Sequence, residues 1–255
     1  IGRPATLVKM DIQGFEQPLL EASLPTLESG AIEWIILGIA GVGGSILLGP
    51  EFFASAAALW IMGCLYNIKP VRSKDKPYLD VISESVNNPL RLLLGWYATG
   101  TDLLPPISLL FAYWMIGAFF MATKRFAEFR NINNAQIAGS YRKSLKYYTE
   151  TRLIASIFFY ITCFALFFGI FIIKYHLELI LLSPLIAGFI ALYIKIGYQE
   201  DSAVQNPERL YKEKGFIVYT VVCLLIFIVL LFTNIPDLYI WFKVQPPQIS
   251  PLWTF

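Results

Sequence analysis

The chain has 255 residues, 56% of them hydrophobic and only 15% charged, with a mean hydropathy of +0.59. Soluble domains carry about 25% charged residues, so a water-soluble globular body is excluded. The net charge of +2 is too small for the electrostatic footprint of a nucleic-acid binder, and nucleic acid is not expected as a partner.

Residues 1–30 are mixed in polarity and hold no apolar run long enough to span a bilayer. They read as a soluble N-terminal segment. The chain begins at Ile1 with no signal-peptide pattern, which suggests a fragment or a processed form. A hydrocarbon core about 30 Å thick calls for roughly 20 apolar residues in a helix. The run 34–49 is rich in glycine, and Gly38, Gly41 and Gly44 would admit a closely packed neighbour. The shorter run 52–66 follows Pro50 and reads as a helix returning from a tight turn. Residues 89–98, extended back towards Val81, make a third span, with Pro89 suited to a first helical turn. Residues 103–122, 153–173, 177–194 and 216–232 complete seven predicted spans; the run 153–173 has no charge at all. Cys64, Cys163 and Cys223 fall in separate apolar runs, with neither metal spacing nor a disulfide framework. The fold class expected is therefore all-α, a polytopic transmembrane bundle over 31–243 with a tail at 244–255.

Charge placement orients the bundle. The connections 67–91, 123–152 and 195–215 hold sixteen of the twenty basic residues, and the opposite connections with the tail hold only Lys174 and Lys243. Positively charged loops stay in the cytoplasm. All three should lie there, with the N-terminus inside and the C-terminus outside, in a membrane of the bacterial inner or plasma type.

Two of these connections carry candidate chemistry. In NIKPVRSKDKPYLDVISESVNNPLR, Asp80 and Glu84 are four apart and share a face of any helix. Acids beside several cations suit Mg²⁺ together with a diphosphate, because Mg²⁺ prefers oxygen ligands completed by phosphates and Lys or Arg clamps the remaining charge. A solvated loop with orienting charges explains the same composition. In ATKRFAEFR, residues 122–130, Lys124 and Glu128 are spaced to pair on a helix. Four charges at the mouth of a bundle suit a site equally well. Asp201 and Glu208 in the third connection read as solvated, and His176, the only histidine, as an interfacial residue on the far side.

At these residues the sequence resembles the UbiA superfamily of membrane prenyltransferases. Tyr66 opens YNIKPVRSKDKPYLDV, in which Lys74 precedes Asp80-Val81 as in that family's loop between its fourth and fifth helices. Lys124, Arg125 and Glu128 look like the Lys-Arg-x-x-Glu variant of its second motif, as found in the branch that makes polyprenyl-phosphate phosphoribose, and YRKSLKYYTETRL, residues 141–153, is similar to that branch. The typical second motif, Asp-x-x-x-Asp, is reduced here to Glu128. The first motif, Asn-Asp-x-x-Asp-x-x-x-Asp, is absent. The seven spans look like helices three to nine of nine, and the chain is expected to be inactive as it stands. Residues 7–27, with Lys9, Asp11, Gly14 and Glu16, resemble instead a fragment of an FkbM-type S-adenosylmethionine methyltransferase.

The resemblance implies an Mg²⁺-dependent transferase in the lipid bilayer, acting on a polyprenyl phosphate or diphosphate. It implies catalytic roles for Asp80, Glu84 and Glu128, and substrate contacts from Tyr66, Arg72, Lys74, Lys124, Arg125 and Arg130. Asp75 and Asp80 would hold the metal, and Tyr97, Tyr113 and Trp114 could shelter a cation. Lys74, Asp80, Lys124 and Glu128 should converge at one cavity mouth. A transporter or channel is the alternative from another class, although the charge lies on one side and no inverted repeat is visible. A methyltransferase fragment is the third reading.

Overall fold

A computed structural model describes residues 38–132 and 142–245. The segment resembling a methyltransferase, 7–27, lies outside the described residues. The described chain is largely helical, and the described part of each predicted span falls on helix to within one residue at its ends, except for 103–106, which precedes α5. α1 (Gly38–Leu48) turns through Gly49, whose φ of 120° is a conformation glycine adopts without strain. α2 (Pro50–Asn67) follows, with proline in its first turn, where its missing N–H costs nothing. The short predicted span is indeed extended backwards, as α3 (Leu79–Ser85) and α4 (Asn87–Tyr97), broken at Val86. Pro105 and Pro106 then hold the chain out of helix until α5 (Ile107–Ile132).

α6 (Glu150–Tyr175) starts at Thr149, whose hydroxyl accepts from the Arg152 N–H at 3.2 Å. A 3₁₀ turn, Leu177–Leu182, leads into α7 (Ser183–Gly197). α8 (Lys214–Leu231) and the short α9 (Pro236–Phe242) end the bundle. Four segments are long and apolar enough to cross a membrane: α5, α6, the stretch Leu177–Gly197, and α8. Val218, Leu224 and Val229 of α8 are exposed. Such a surface suits hydrocarbon, and the all-α, multi-span expectation holds.

One boundary is corrected. The connection predicted at 123–152 does not begin at residue 123, because α5 continues as helix to Ile132. Lys124, Arg125 and Glu128 therefore lie on a helix and not on a loop. The helix continues through these charges with Arg125 buried against the acids of α3 and Glu128 paired to Arg125, as described below.

The core has two parts. One gathers Phe119, Phe126, Leu145, Leu153, Tyr193 and Val204 near the charged connections. The other gathers Phe171, Leu177, Leu179, Leu230 and Leu238 at the opposite end. Direct contacts bring all three charged connections to one end of the bundle. Ser144 and Lys143 reach Asp80 and Asp75, Asn131 bonds Gln205 at 3.2 Å, and Arg130 lies over the Tyr198 ring at 4.9 Å.

Candidate functional site

The centre of the site is Arg125, fully buried on α5. Its Nη1 lies 2.8 Å from Glu128 Oε2, its Nη2 2.9 Å from Glu84 Oε2, and its Nε 3.3 Å from Asp80 Oδ2. An isolated buried ion costs several kcal/mol, and the cost is met only when geometry and hydrogen bonds are good. Three carboxylates around one guanidinium meet it. The helical spacing of Asp80 and Glu84 on α3 puts both acids on the face turned to α5, as the sequence implied. The anticipated Lys124–Glu128 pair does not form. Glu128 instead takes Arg125, three residues before it.

Further donors close over Asp80. Its Oδ1 accepts from Tyr148 Oη at 2.7 Å and its Oδ2 from Ser144 Oγ at 2.9 Å. Arg142 approaches the same oxygen at 3.7 Å and Glu84 at 3.9 Å. Tyr66 Oη donates to Glu84 Oε2 at 2.8 Å and accepts from Arg142 Nη2 at 2.5 Å. Burial, and after it the charge of Asp80, pushes the Tyr148 phenol well above its ordinary range, so it remains a donor at neutral pH. Ser144, Tyr148 and Arg142 received no individual role from the sequence. The only signal for them was the segment 141–153 that contains all three.

Lys124, next to Arg125, is only 8% exposed and has no hydrogen-bond or ion-pair partner among the described residues. The other predicted residues lie apart. Lys74 bonds Asn67 Oδ1 at 3.2 Å near the surface. Arg72 pairs with Asp75 at 3.2 Å and lines an open cleft of about 560 Å³ with Lys69 and Lys76. Arg130 joins Glu150 at 3.1 Å and fastens α5 to α6. The predicted convergence of four side chains thus divides: Asp80 and Glu128 meet through Arg125, Lys124 sits beside it, and Lys74 is on the outer loop. Of the candidate aromatics, Trp114 donates to Ile82 O at 3.2 Å and Ser85 Oγ at 3.1 Å, packing the α3–α4 break.

Asp75 and the described acids around Arg125 do not fit Mg²⁺. Among the described residues no three His, Cys, Asp or Glu side chains gather as a ligand set. Asp75 faces Arg72 and Lys143, whereas both oxygens of Asp80 are engaged by donors of the protein. A divalent ion among Asp80, Glu84 and Glu128 would have to displace Arg125, which already occupies the centre as a fixed cation.

Compared with known protein families, the chain matches the model of the UbiA prenyltransferase family over residues 18–212. The matched stretch contains all of the residues around Arg125. A comparison with curated proteins gave no match.

Proposed function

The chain belongs to the UbiA prenyltransferase family, and we propose that within it the protein is a transferase acting on a polyprenyl phosphate or diphosphate, closest to the phosphoribosyl-transferring branch. Family membership and four apolar spans make it an integral membrane protein. The charged end faces the cytoplasm, following the distribution of Lys and Arg.

The observation that carries the reading is Lys124. Lys124 is 8% exposed and has no hydrogen-bond or ion-pair partner among the described residues, and its ammonium is not shut off from solvent, so an anion can reach it. Its neighbour Arg125 has its charge met by three carboxylates. The cage therefore sets Arg125 and the helix in place, and Lys124 is the group left to receive a phosphate oxygen. Charge-assisted hydrogen bonds of this kind are short and about twice as strong as neutral ones. The exposed Lys69, Arg72 and Lys76 draw the same charge towards this end. No step is assigned to Mg²⁺, on which the family generally depends; it would need ligands other than the acids around Arg125.

The test is binding of tritiated geranylgeranyl phosphate and geranylgeranyl diphosphate to the full chain in lipid nanodiscs. Lys124→Met should weaken binding at least about tenfold, the value of one hydrogen bond to a charged group, and Lys124→Arg should retain part of it. Equal binding by Lys124→Met and the unaltered chain would overturn the reading. Transfer from labelled phosphoribosyl diphosphate, set against transfer from labelled prenyl diphosphate, would separate the two branches.

A further inference from the structure

We propose that Asp80 is a positioning residue: it anchors the segment Arg142–Tyr148 across the mouth of the site, and this docking sets Arg142 as a second cation for the substrate's phosphate. The role of Arg142 rests on the phosphate-binding reading above; the anchoring stands without it.

Asp80 is fully buried. Two of its closest partners, Ser144 and Tyr148, come from one segment more than sixty positions downstream, at 2.9 and 2.7 Å. Tyr148 is fixed in turn by the Tyr78 N–H, 2.6 Å from its Oη, and by edge-to-face packing on the Tyr78 ring at 5.4 Å. Tyr78 holds a positive φ of 65°, a conformation that costs a non-glycine residue energy and persists only where its surroundings impose it. Within the segment, Leu145 and Tyr148 are buried while Tyr147 is exposed. Leu145 and the Tyr148 ring sit in the core, and polar bonds to Asp80, the Tyr78 N–H and Tyr66 complete the hold on this stretch. A carboxylate whose oxygens are already taken by docking donors is poorly placed to bind a metal or accept a substrate proton.

The same docking places Arg142. Its Nη2 is spent on Tyr66, but its buried Nε makes no hydrogen bond among the described residues. Its nearest carboxylate oxygen, Asp80 Oδ2, stays at 3.7 Å, beyond hydrogen-bond reach; buried polar groups are almost always paired, so this guanidinium donor has a hydrogen bond still to give, and an anion would complete it. Arg142, held beside the acids that also hold Arg125, would then offer the phosphate a cation from the docked segment, in addition to Lys124 on α5. This division of labour explains why the segment is tied to an acid on α3, the helix that also helps hold Arg125.

Hydrogen–deuterium exchange of the full chain in nanodiscs tests the anchor. The double variant Ser144→Ala/Tyr148→Phe leaves Asp80, Arg125 and Arg142 unaltered, so it avoids the unpaired charges that Asp80→Asn would create. Amides of residues 142–148 should exchange at least about tenfold faster in it, since each lost bond went to a charged acceptor; unchanged exchange overturns the anchor. Arg142→Ala tests the cation, with tritiated geranylgeranyl phosphate as the probe. It should weaken binding about tenfold at unchanged exchange, and Arg142→Lys should restore it only in part, because an ammonium lacks the guanidinium fork. If Lys124→Met loses the probe and Arg142→Ala keeps it, Arg142 is not the second cation, and the phosphate reading survives. If neither loses it, both that reading and the role of Arg142 fall, and the exchange result alone decides the anchor.

Discussion

The two ends of the bundle each bury a carboxylate, and they use it differently. At one end Asp80, Glu84 and Glu128 surround Arg125, with Arg142 close by and Lys124 next to Arg125 along α5. At the other end Glu178, almost fully buried, accepts from the Ile235 N–H at 3.0 Å and from Tyr239 Oη at 3.1 Å. His176 lies 3.4 Å from the same carboxylate, and its Nε2 donates to Leu230 O at 2.8 Å. This second cluster fastens the 3₁₀ turn after α6 to the end of α8 and the start of α9. Its donors and acceptors are matched, which is what a structural clasp requires. The first cluster contains donors that the described residues do not satisfy. Burial of charge is common to both, so burial by itself does not mark a site; the surplus of unpaired cation does.

The largest effect should come from Arg125→Met. It leaves three carboxylates facing one another without their shared counter-ion. Removing one partner of a buried ion cluster costs about 3–5 kcal/mol, visible as a lowered unfolding midpoint in detergent. A stability close to the unaltered protein would mean that the cage is solvated and is not a buried ion cluster.

Glu178→Ala should cost somewhat less, about 2–3 kcal/mol, for the buried donors it strands. The comparison is sharpened by a second measurement on the same variant: binding of geranylgeranyl phosphate should be unchanged. A loss of binding would couple the two ends and break the distinction between clasp and site.

Lys124→Met should show the opposite pattern. Binding falls by about 1.5–3 kcal/mol, the value of a charge-assisted bond, while stability holds because Lys124 makes no polar contact among the described residues. Reduced stability in this variant would show that Lys124 serves the fold.

The smallest effect belongs to Asp75→Asn. Its partners Arg72 and Lys143 are 35% and 69% exposed, and ion pairs of that kind contribute less than about 1 kcal/mol. Titrating Mg²⁺ into the chain by calorimetry should give the same curve for the variant and the unaltered chain. A shifted curve would return Asp75 to the role of metal ligand.

Much of the helical layout was readable in advance because it depends on local apolar runs. The uncharged run 153–173 became Glu150–Tyr175, and the short run 89–98 became α4 with α3 in front of it. The overrun of α5 to Ile132 was not readable. Lys124, Arg125 and Glu128 look like the start of a loop until Asp80 and Glu84, some forty residues earlier, are seen to neutralise Arg125. Tyr66, Asp80, Glu84, Arg125 and Glu128 were named from sequence and do meet. Lys74, Arg72 and Arg130 were named on equal grounds and take other partners. Ser144 and Tyr148 are common residues whose importance comes only from the acid they reach.

The sequence by itself determined that this is a membrane protein, where its apolar helices run, and that its charge gathers between particular pairs of them. Those properties are sums of transfer free energies along short stretches of chain, and neighbours in sequence suffice to compute them. Only the tertiary structure decided which charges are neutralised and which are left over. Ion pairing inside a low-dielectric bundle depends on approach to about 3 Å between residues far apart in the chain, and each pair formed removes its members from the set free to meet a ligand. Arg125 and Lys124 are adjacent in sequence, yet the fold surrounds one with carboxylates and leaves the other unpaired among the described residues.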